Sequence, residues 1–213
     1  MANLGKLFVL GSGGHAVAVM DAAQSCGFEI QGFVDPKGPD SVSGLPVISD
    51  VRDAGGSYLA LGIGTNFLRE RVFHETRELV PDSEFPPIIH SASFVSPLAT
   101  VEEAAVVLAM ASVGPQSRVG TGSLLNTGAS LDHDSLMDSW SSLGPGARTG
   151  GNVSIGQRSV VGLQAGISHG VTVGPDSILG AHSFAKKDLE KNLVAYGIPA
   201  EIIRSRQTED PYY

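Results

Sequence analysis

From Ile89 onward an aliphatic residue returns at every sixth position: Val95, Val101, Val107, Val113, Val119, Leu125, Leu131, Met137 and Leu143, then Ile155, Val161, Ile167, Val173 and Leu179. Thr149 is the one polar member of this column. Four residues after each member stands Ser, Ala or Val, from Ser93 through Ala129, Ser141 and Ala165 to Ser183. The position directly after the aliphatic is Gly, Asn or Asp from Gly114 to Gly162, with Asn126, Asp132, Asp138 and Gly156 among them. A six-residue period fits neither the 3.6 of an α-helix nor the alternation of a long strand. It suits a short strand and a corner, repeated. Three such sides make a coil of about 18 residues, and coils stack about 4.8 Å apart through ladder hydrogen bonds. About five coils fit between Ile89 and Phe184. The Gly/Asn/Asp slot is expected to hold the corner residue with positive φ, and the small residue four places on to fill a crowded inner corner.

The pattern changes before Ile89. Lys6–Leu10 reads as a buried strand, followed by Gly11-Ser12-Gly13-Gly14-His15-Ala16 and a helical run from Val17 to Cys26. A second strand, Gln31 to Val34, ends at Asp35. Strand, glycine turn, helix, strand and acid, with G-x-G-x-x-A in the turn, is the order of a Rossmann-like βαβ unit. Glycines let the backbone approach a phosphate, and the helix N-terminus offers amide donors and a positive dipole end. A tight βα turn explains the glycines equally well in isolation; the surrounding order favours a nucleotide or nucleotide sugar. A third strand, Tyr58 to Ile63, runs into Gly64-Thr65-Asn66 and a helix from Phe67 to Leu79. That places a second glycine turn on the same sheet edge. The segment Pro81 to Pro87 reads as a linker. The expected architecture is mainly β with an α/β N-terminal domain. Residues 1–85 form the Rossmann-like unit, 86–185 a parallel β-helix, and 186–213 a C-terminal tail.

Composition narrows the partners. A formal net charge of −8 leaves no basic stripe for nucleic acid. Leu7–Leu10 is too short an apolar run to span a bilayer, and the opening residues do not read as a signal leader. One cysteine, Cys26, excludes an internal disulfide and fits a reducing cytoplasm; it is expected as a buried helical thiol. The 27 glycines suit a fold with many tight turns.

Chemistry concentrates in Leu125-Asn126-Thr127-Gly128-Ala129-Ser130-Leu131-Asp132-His133-Asp134. His133 lies two places after an inward Leu and is expected to project outward. Histidine titrates near neutrality and can take a proton from an attacking amine or hydroxyl. Asp134 or Asp132 can orient the ring and stabilise its protonated form. The plainer reading is a surface histidine in a solvated turn. His169, 36 residues on, shares the face two coils away, about 10 Å by coil spacing, and is a rival base or a liner of the acyl-donor groove. His74, His90 and His182 have no comparable acidic neighbours.

Taken together, Gly11-Ser12-Gly13-Gly14-His15, Phe33-Val34-Asp35, Leu61 to Asn66, the Leu125–Asp134 run and Gly197-Ile198-Pro199-Ala200 resemble the nucleotide-sugar acetyltransferases. That family is typified by bacillosamine- and perosamine-pathway N-acetyltransferases and includes sialic acid O-acetyltransferases; the likeness runs from Lys6 to about Arg204. The resemblance implies that the β-helix is left-handed. It also implies a homotrimer, with acetyl-CoA as co-substrate in a groove between neighbouring β-helices and no metal. His133 would be the general base and Asp134 the acid that raises its basicity. Gly13, Gly14, His15, Asp35 and Gly64 would hold a nucleotide-linked amino sugar, while Ser142, Gly151, Leu163 and Ala181 would contact acetyl-CoA. Relatives commonly carry a second histidine where this chain has Ser142, and Met137-Asp138 replaces their usual Ile-Gly. Transfer to an amino group is the expected reaction, with sugar O-acetylation, an NAD-type oxidoreductase and a non-enzymatic β-helix binding protein as alternatives. The oxidoreductase reading leaves the β-helix without a role, and the scaffold reading leaves Asp132-His133-Asp134 without one.

Overall fold

The computed structural model describes residues 3–211, so the outermost two residues at each end of the expected domain limits fall outside it. The chain opens with β1 (Gly5–Leu10), α1 (Gly14–Cys26) and β2 (Phe28–Val34). A short hairpin follows, β3 (Ser41–Val42) and β4 (Leu45–Ile48), then β5 (Tyr58–Leu61) and α2 (Asn66–Leu79). The sheet order is β3-β4-β2-β1-β5, parallel except for the β3–β4 hairpin. Because β1 and β5 are parallel neighbours, both glycine turns leave the same carboxyl edge. Helix α1 lays Ala16, Val19, Ala22 and Ala23 on the sheet, all fully buried. These small side chains let it approach so closely that a Cβ on Gly62 would stand 2.6 Å from the Ala16 Cβ.

From Ile88 to Ala185 the chain is a stack of two-residue strands in three parallel sheets. Register advances by one coil at a time: Ser112 pairs with Phe94 below and Ser130 above. The aliphatic column points inward, with Val107, Val113, Val119, Leu125, Leu131, Met137, Leu143, Ile155 and Val161 at 0% exposure. Burying each such side chain stabilises the stack by about 1.5–3 kcal/mol relative to exposure. The small residues four places on are buried at the inner corners, where Ser117, Ser135, Ser159 and Ser177 also bond main-chain groups of adjoining coils.

The corner glycines have a different cause from the one expected. Positive φ falls two residues after the Gly/Asn/Asp slot, at Gln116, Gly122, Gly128, Asp134, Trp140, Gly146, Asn152, Arg158, Gln164, Gly170, Asp176 and His182. At the glycine members of the slot the coils touch. A Cβ on Gly114 would lie 2.7 Å from the His133 nitrogen, and one on Gly162 would lie 2.6 Å from the Ala181 nitrogen. Close stacking therefore selects glycine, and the left-handed residue tolerates several side chains.

Beyond Ala185, Leu193–Gly197 joins the face that carries Ile178–Leu179, and Ala200–Ser205 turns back antiparallel along it. The N-terminal unit sits against the same face lower down, where Ile88, Val106, Leu108 and Leu124 join the Leu7, Val9, Ala16 and Phe33 cluster. Trp140 reaches from a corner into the opposite side of the sheet domain, 5.1 Å ring to ring from Phe73. Arg158 clamps the same seam by pairing with Glu70 of α2 (3.1 Å) and with Asp176 (2.8 Å).

Candidate active site

His133 lies on the corner after strand Ser130–Leu131 and projects outward, its side chain 48% exposed. Asp134 takes positive φ (+55°), which turns its carboxylate back to the ring, and His133 Nδ1 stands 2.7 Å from Asp134 Oδ2. An ionised carboxylate only accepts, so Nδ1 carries the hydrogen and Nε2 keeps its lone pair. The hydrogen bond to Asp134, aided by the charges of Asp132 and Asp134, raises the His133 pKa above its ordinary value. The basic Nε2 lies over Gly151, one coil further on, where a Cβ would stand 2.4 Å from Nε2 and Cε1. Asp132 Oδ1 accepts the His133 N–H at 2.8 Å, and Thr149 Oγ1 accepts the Asp132 N–H at 2.9 Å. His169 is nearer than coil spacing implies: its ring centroid is 6.4 Å from that of His133. Coil spacing measures backbones, whereas the His133 ring leans along the axis over a position without a side chain.

A cavity of about 660 Å³ opens on another corner, between the sheet domain and the β-helix. It gathers His15, Gly64, Ser142, Leu163 and Ala181, five of the residues expected to bind substrate or acetyl-CoA, together with Asn126 and Tyr196. His15 is half-buried at the N-terminus of α1. Desolvation, with the Arg69 charge behind it, lowers its pKa to about 4, so its ring is neutral at ordinary pH. Its buried Nε2 meets no hydrogen-bond partner among the described residues. Gly13 and Gly14 face open space, with nothing within 4 Å of where a Cβ would stand. Asp35 sits by a second cavity of about 440 Å³ at the carboxyl edge, beside Gly11, Ile63 and Val72. Ser12 Oγ donates to Asp35 Oδ2 at 2.6 Å, and this bond foremost holds the carboxyl below its usual range. In one chain, His133, Asp134 and Gly151 thus occupy one corner and His15, Gly64, Ser142, Leu163 and Ala181 another.

Ser142 faces inward to the seam. It is 6% exposed, donates to Asn66 Oδ1 at 2.6 Å and accepts from Arg69 Nη2 at 3.2 Å. Arg69, 1% exposed, also donates to the carbonyls of Ile63, Gly64, Gly122 and Trp140. Asn66 Nδ2 bonds the carbonyls of Arg158 and Ser159. This network pins the second glycine turn to the coils. A helical arginine gives no sequence signal of such a role.

A repeating coil with an aspartate-paired imidazole on a glycine floor, set beside a glycine-turn sheet domain, defines a hexapeptide-repeat acyltransferase with a left-handed β-helix. Residues 6–76 match the family described as the PglD N-terminal domain. A histidine-to-alanine variant of GDP-perosamine N-acetyl transferase from Caulobacter crescentus, solved with CoA and GDP-perosamine, is 32% identical, with a TM-score of 0.90 over 95% of this chain and 98% of that one. The acetyltransferase domain of PglB from Neisseria gonorrhoeae FA1090, solved with acetyl coenzyme A, is 31% identical, with a TM-score of 0.87 over 95% and 100% of the two chains. Galactoside O-acetyltransferase of Escherichia coli (strain K12) matches at 38% over 61 residues, which is 29% of this chain and only 30% of that protein. The chain belongs to the nucleotide-sugar N-acetyltransferase family.

Proposed function

We propose that this enzyme moves an acetyl group from acetyl-CoA to the amino group of a nucleotide-linked amino-deoxysugar, with His133 as general base. The observation that carries this reading is the His133–Asp134 pair, with Nε2 above Gly151, in a chain that matches the perosamine transferase over 95% of its length. Nε2 takes the proton from the amine as its nitrogen adds to the thioester carbon; the carbon–sulfur bond then breaks, and the imidazolium returns the proton to the departing CoA thiolate, releasing the free thiol. Residues 1–85 hold the acceptor, with Gly13, Gly14, His15, Asp35 and Gly64 around the nucleotide sugar. Residues 86–185 hold acetyl-CoA, with Gly151 under the thioester and Leu163 and Ala181 along its arm. Ser142 contributes from the wall of the larger cavity, its hydroxyl already engaged with Asn66. Within the C-terminal segment, Leu193–Ser205 closes the stack.

The working unit in this reading is a homotrimer. The separation of His133 from the His15 cavity within one chain supports it, because a neighbouring copy supplies the missing corner. A cytoplasmic setting fits the single thiol, and no helix among the described residues is long and apolar enough to cross a membrane. The test is free-thiol release from acetyl-CoA across UDP-, GDP- and CMP-linked amino sugars, each paired with its hydroxyl counterpart. Release with an amino sugar alone is expected; release only with hydroxyl acceptors transfers the assignment to O-acetylation. Light scattering should give three times the chain mass of 22.0 kDa, and a single multiple at micromolar concentration refutes the trimer.

A further inference from the structure

The inward column is apolar at every member but Thr149, and Thr149 is 8% exposed, so its hydroxyl is buried in a hydrophobic stack. A buried hydroxyl costs about 1–3 kcal/mol unless it is hydrogen-bonded. Its bond is at the site: Oγ1 accepts the N–H of Asp132, the residue before His133, at 2.9 Å. The equivalent corner N–H elsewhere goes to a main-chain carbonyl of the next coil. Gly114 donates to Leu131, Gly120 to Met137, Asn126 to Leu143, Asp138 to Ile155, Gly144 to Val161 and Gly150 to Ile167. Asp132 alone among these turns to a side chain instead of the Thr149 carbonyl. The ladder records the same interruption: Ser130 pairs with Arg148, and the following pair, Leu131 with Thr149, is missing, whereas Val113–Leu131 and Thr149–Ile167 are present below and above.

The interruption falls under the imidazole. As at Asn126 and Asp138, the corner side chain takes the next N–H, Asp132 Oδ1 accepting from His133 at 2.8 Å, and the Asn152 N–H holds the His133 carbonyl from the next coil, also at 2.8 Å; what differs here is that the Asp132 N–H goes to Thr149. The backbone that aims the ring over Gly151 is thereby fixed on both sides of His133. We propose that Thr149 is a positioning residue for the acetyl transfer: its hydroxyl replaces one ladder bond and so sets the Asp132–His133 backbone at the angle that puts Nε2 over Gly151. Valine in its place removes the acceptor. The Asp132 N–H then closes the regular bond to the carbonyl of residue 149, the column becomes wholly apolar, and the ring shifts away from Asp134.

This inference rests on His133 being the base, and the experiment separates the two. Thr149→Val, Thr149→Ser and His133→Ala are compared in one thiol-release assay, with thermal melts of each. Thr149→Val is expected to melt at or above the wild-type temperature while kcat falls about tenfold, because sub-ångström misplacement erodes part of the roughly 10²-fold effect of a 1 Å error. KM for both substrates should stay near wild type, and Thr149→Ser should recover most of the rate. The charged groups acting on His133 are Asp132 and Asp134 on its own corner, with the His169 ring 6.4 Å away on the far side and Gly114 of the coil below against its backbone. Loosening the Asp134 bond therefore moves the acid limb of kcat to lower pH in Thr149→Val. If Thr149→Val keeps more than half the wild-type kcat while His133→Ala is dead, the positioning role is wrong and the base stands. A loss that follows a lowered melting temperature, with the acid limb unmoved and no recovery in Thr149→Ser, also overturns it. Full activity in His133→Ala removes the base and this inference together.

Discussion

Replacing Gly151 with alanine adds one methyl group beneath the His133 ring. That carbon would stand 2.4 Å from Cε1 and Nε2 and 2.9 Å from Cδ2. Carbon contacts settle at about 3.5–4.0 Å, so the ring must lift by about 1 Å. It can do so freely, because the side chain is half-exposed and ends in solvent. The backbone at Gly151 lies outside the left-handed region and accepts alanine without strain. The fold should therefore be untouched, with a melting temperature within a degree or two of wild type. Chemistry should suffer: a 1 Å misplacement costs on the order of 10²-fold in rate. The neighbouring Gly150→Ala is the control, since its Cβ would meet the His169 backbone nitrogen at 2.8 Å and Cα at 3.0 Å. Backbone cannot swing aside, so overpacking of roughly 1–3 kcal/mol is expected there. That corresponds to several degrees for a chain of this size, at about 2–4 °C per kcal/mol. Thiol-release kinetics and thermal melts on both variants read the two effects apart. Gly151→Ala keeping more than half the wild-type kcat, or melting as low as Gly150→Ala, would refute the placement of Nε2 over a glycine floor.

Other outcomes follow from the same geometry. His133→Ala should lower kcat by roughly 10²–10⁴-fold with acetyl-CoA binding intact; a dead His169→Ala beside an active His133→Ala moves the centre two coils along. The Asp134 bond raises the His133 pKa, so the neutral, active ring is lost as pH falls through that raised value; in Asp134→Ala the acid limb of kcat should shift to lower pH, and an unmoved limb counts against the pair. Asp35→Ala should raise KM for the sugar nucleotide and leave that for acetyl-CoA nearly unchanged, and the reverse would reassign the sheet domain. Gly122→Ala places a Cβ 1.9 Å from Trp140 Cζ3 at a φ of +62°, so clash and left-handed strain should lower the melting temperature by about 10 °C.

The coil stack is readable from the chain because the inward residue is apolar at fifteen of the sixteen positions from Ile89 to Leu179, and no other regular structure keeps that period. The same pattern misassigned the corner glycines, since a one-letter slot cannot distinguish a left-handed φ from a Cβ that would strike the coil above. For the site, the outward direction of His133 and its carboxylate follow from two-residue spacing, and the structure joins His133 to Asp134 and gathers five expected binding residues around one cavity. The Arg69–Asn66–Ser142 seam was illegible: four of its partners are main-chain carbonyls more than fifty residues away, which carry no residue identity. Thr149 was visible as the one break in the column, but its meaning lay in a bond one coil below.

The C-terminal end of the stack is stoppered by something that is not a coil: the Leu193–Gly197 strand pairs with the last strand of one face and Ala200–Ser205 turns back antiparallel along it. A solenoid left open there would offer a fresh edge to the next molecule. Along the stack, length is counted in whole coils, so loss or gain of chain is tolerated in that unit and in no smaller one. Removing a single residue would turn every later side chain onto a different side of the triangle and set the imidazole, the glycine floor and the acyl-donor wall out of line with one another.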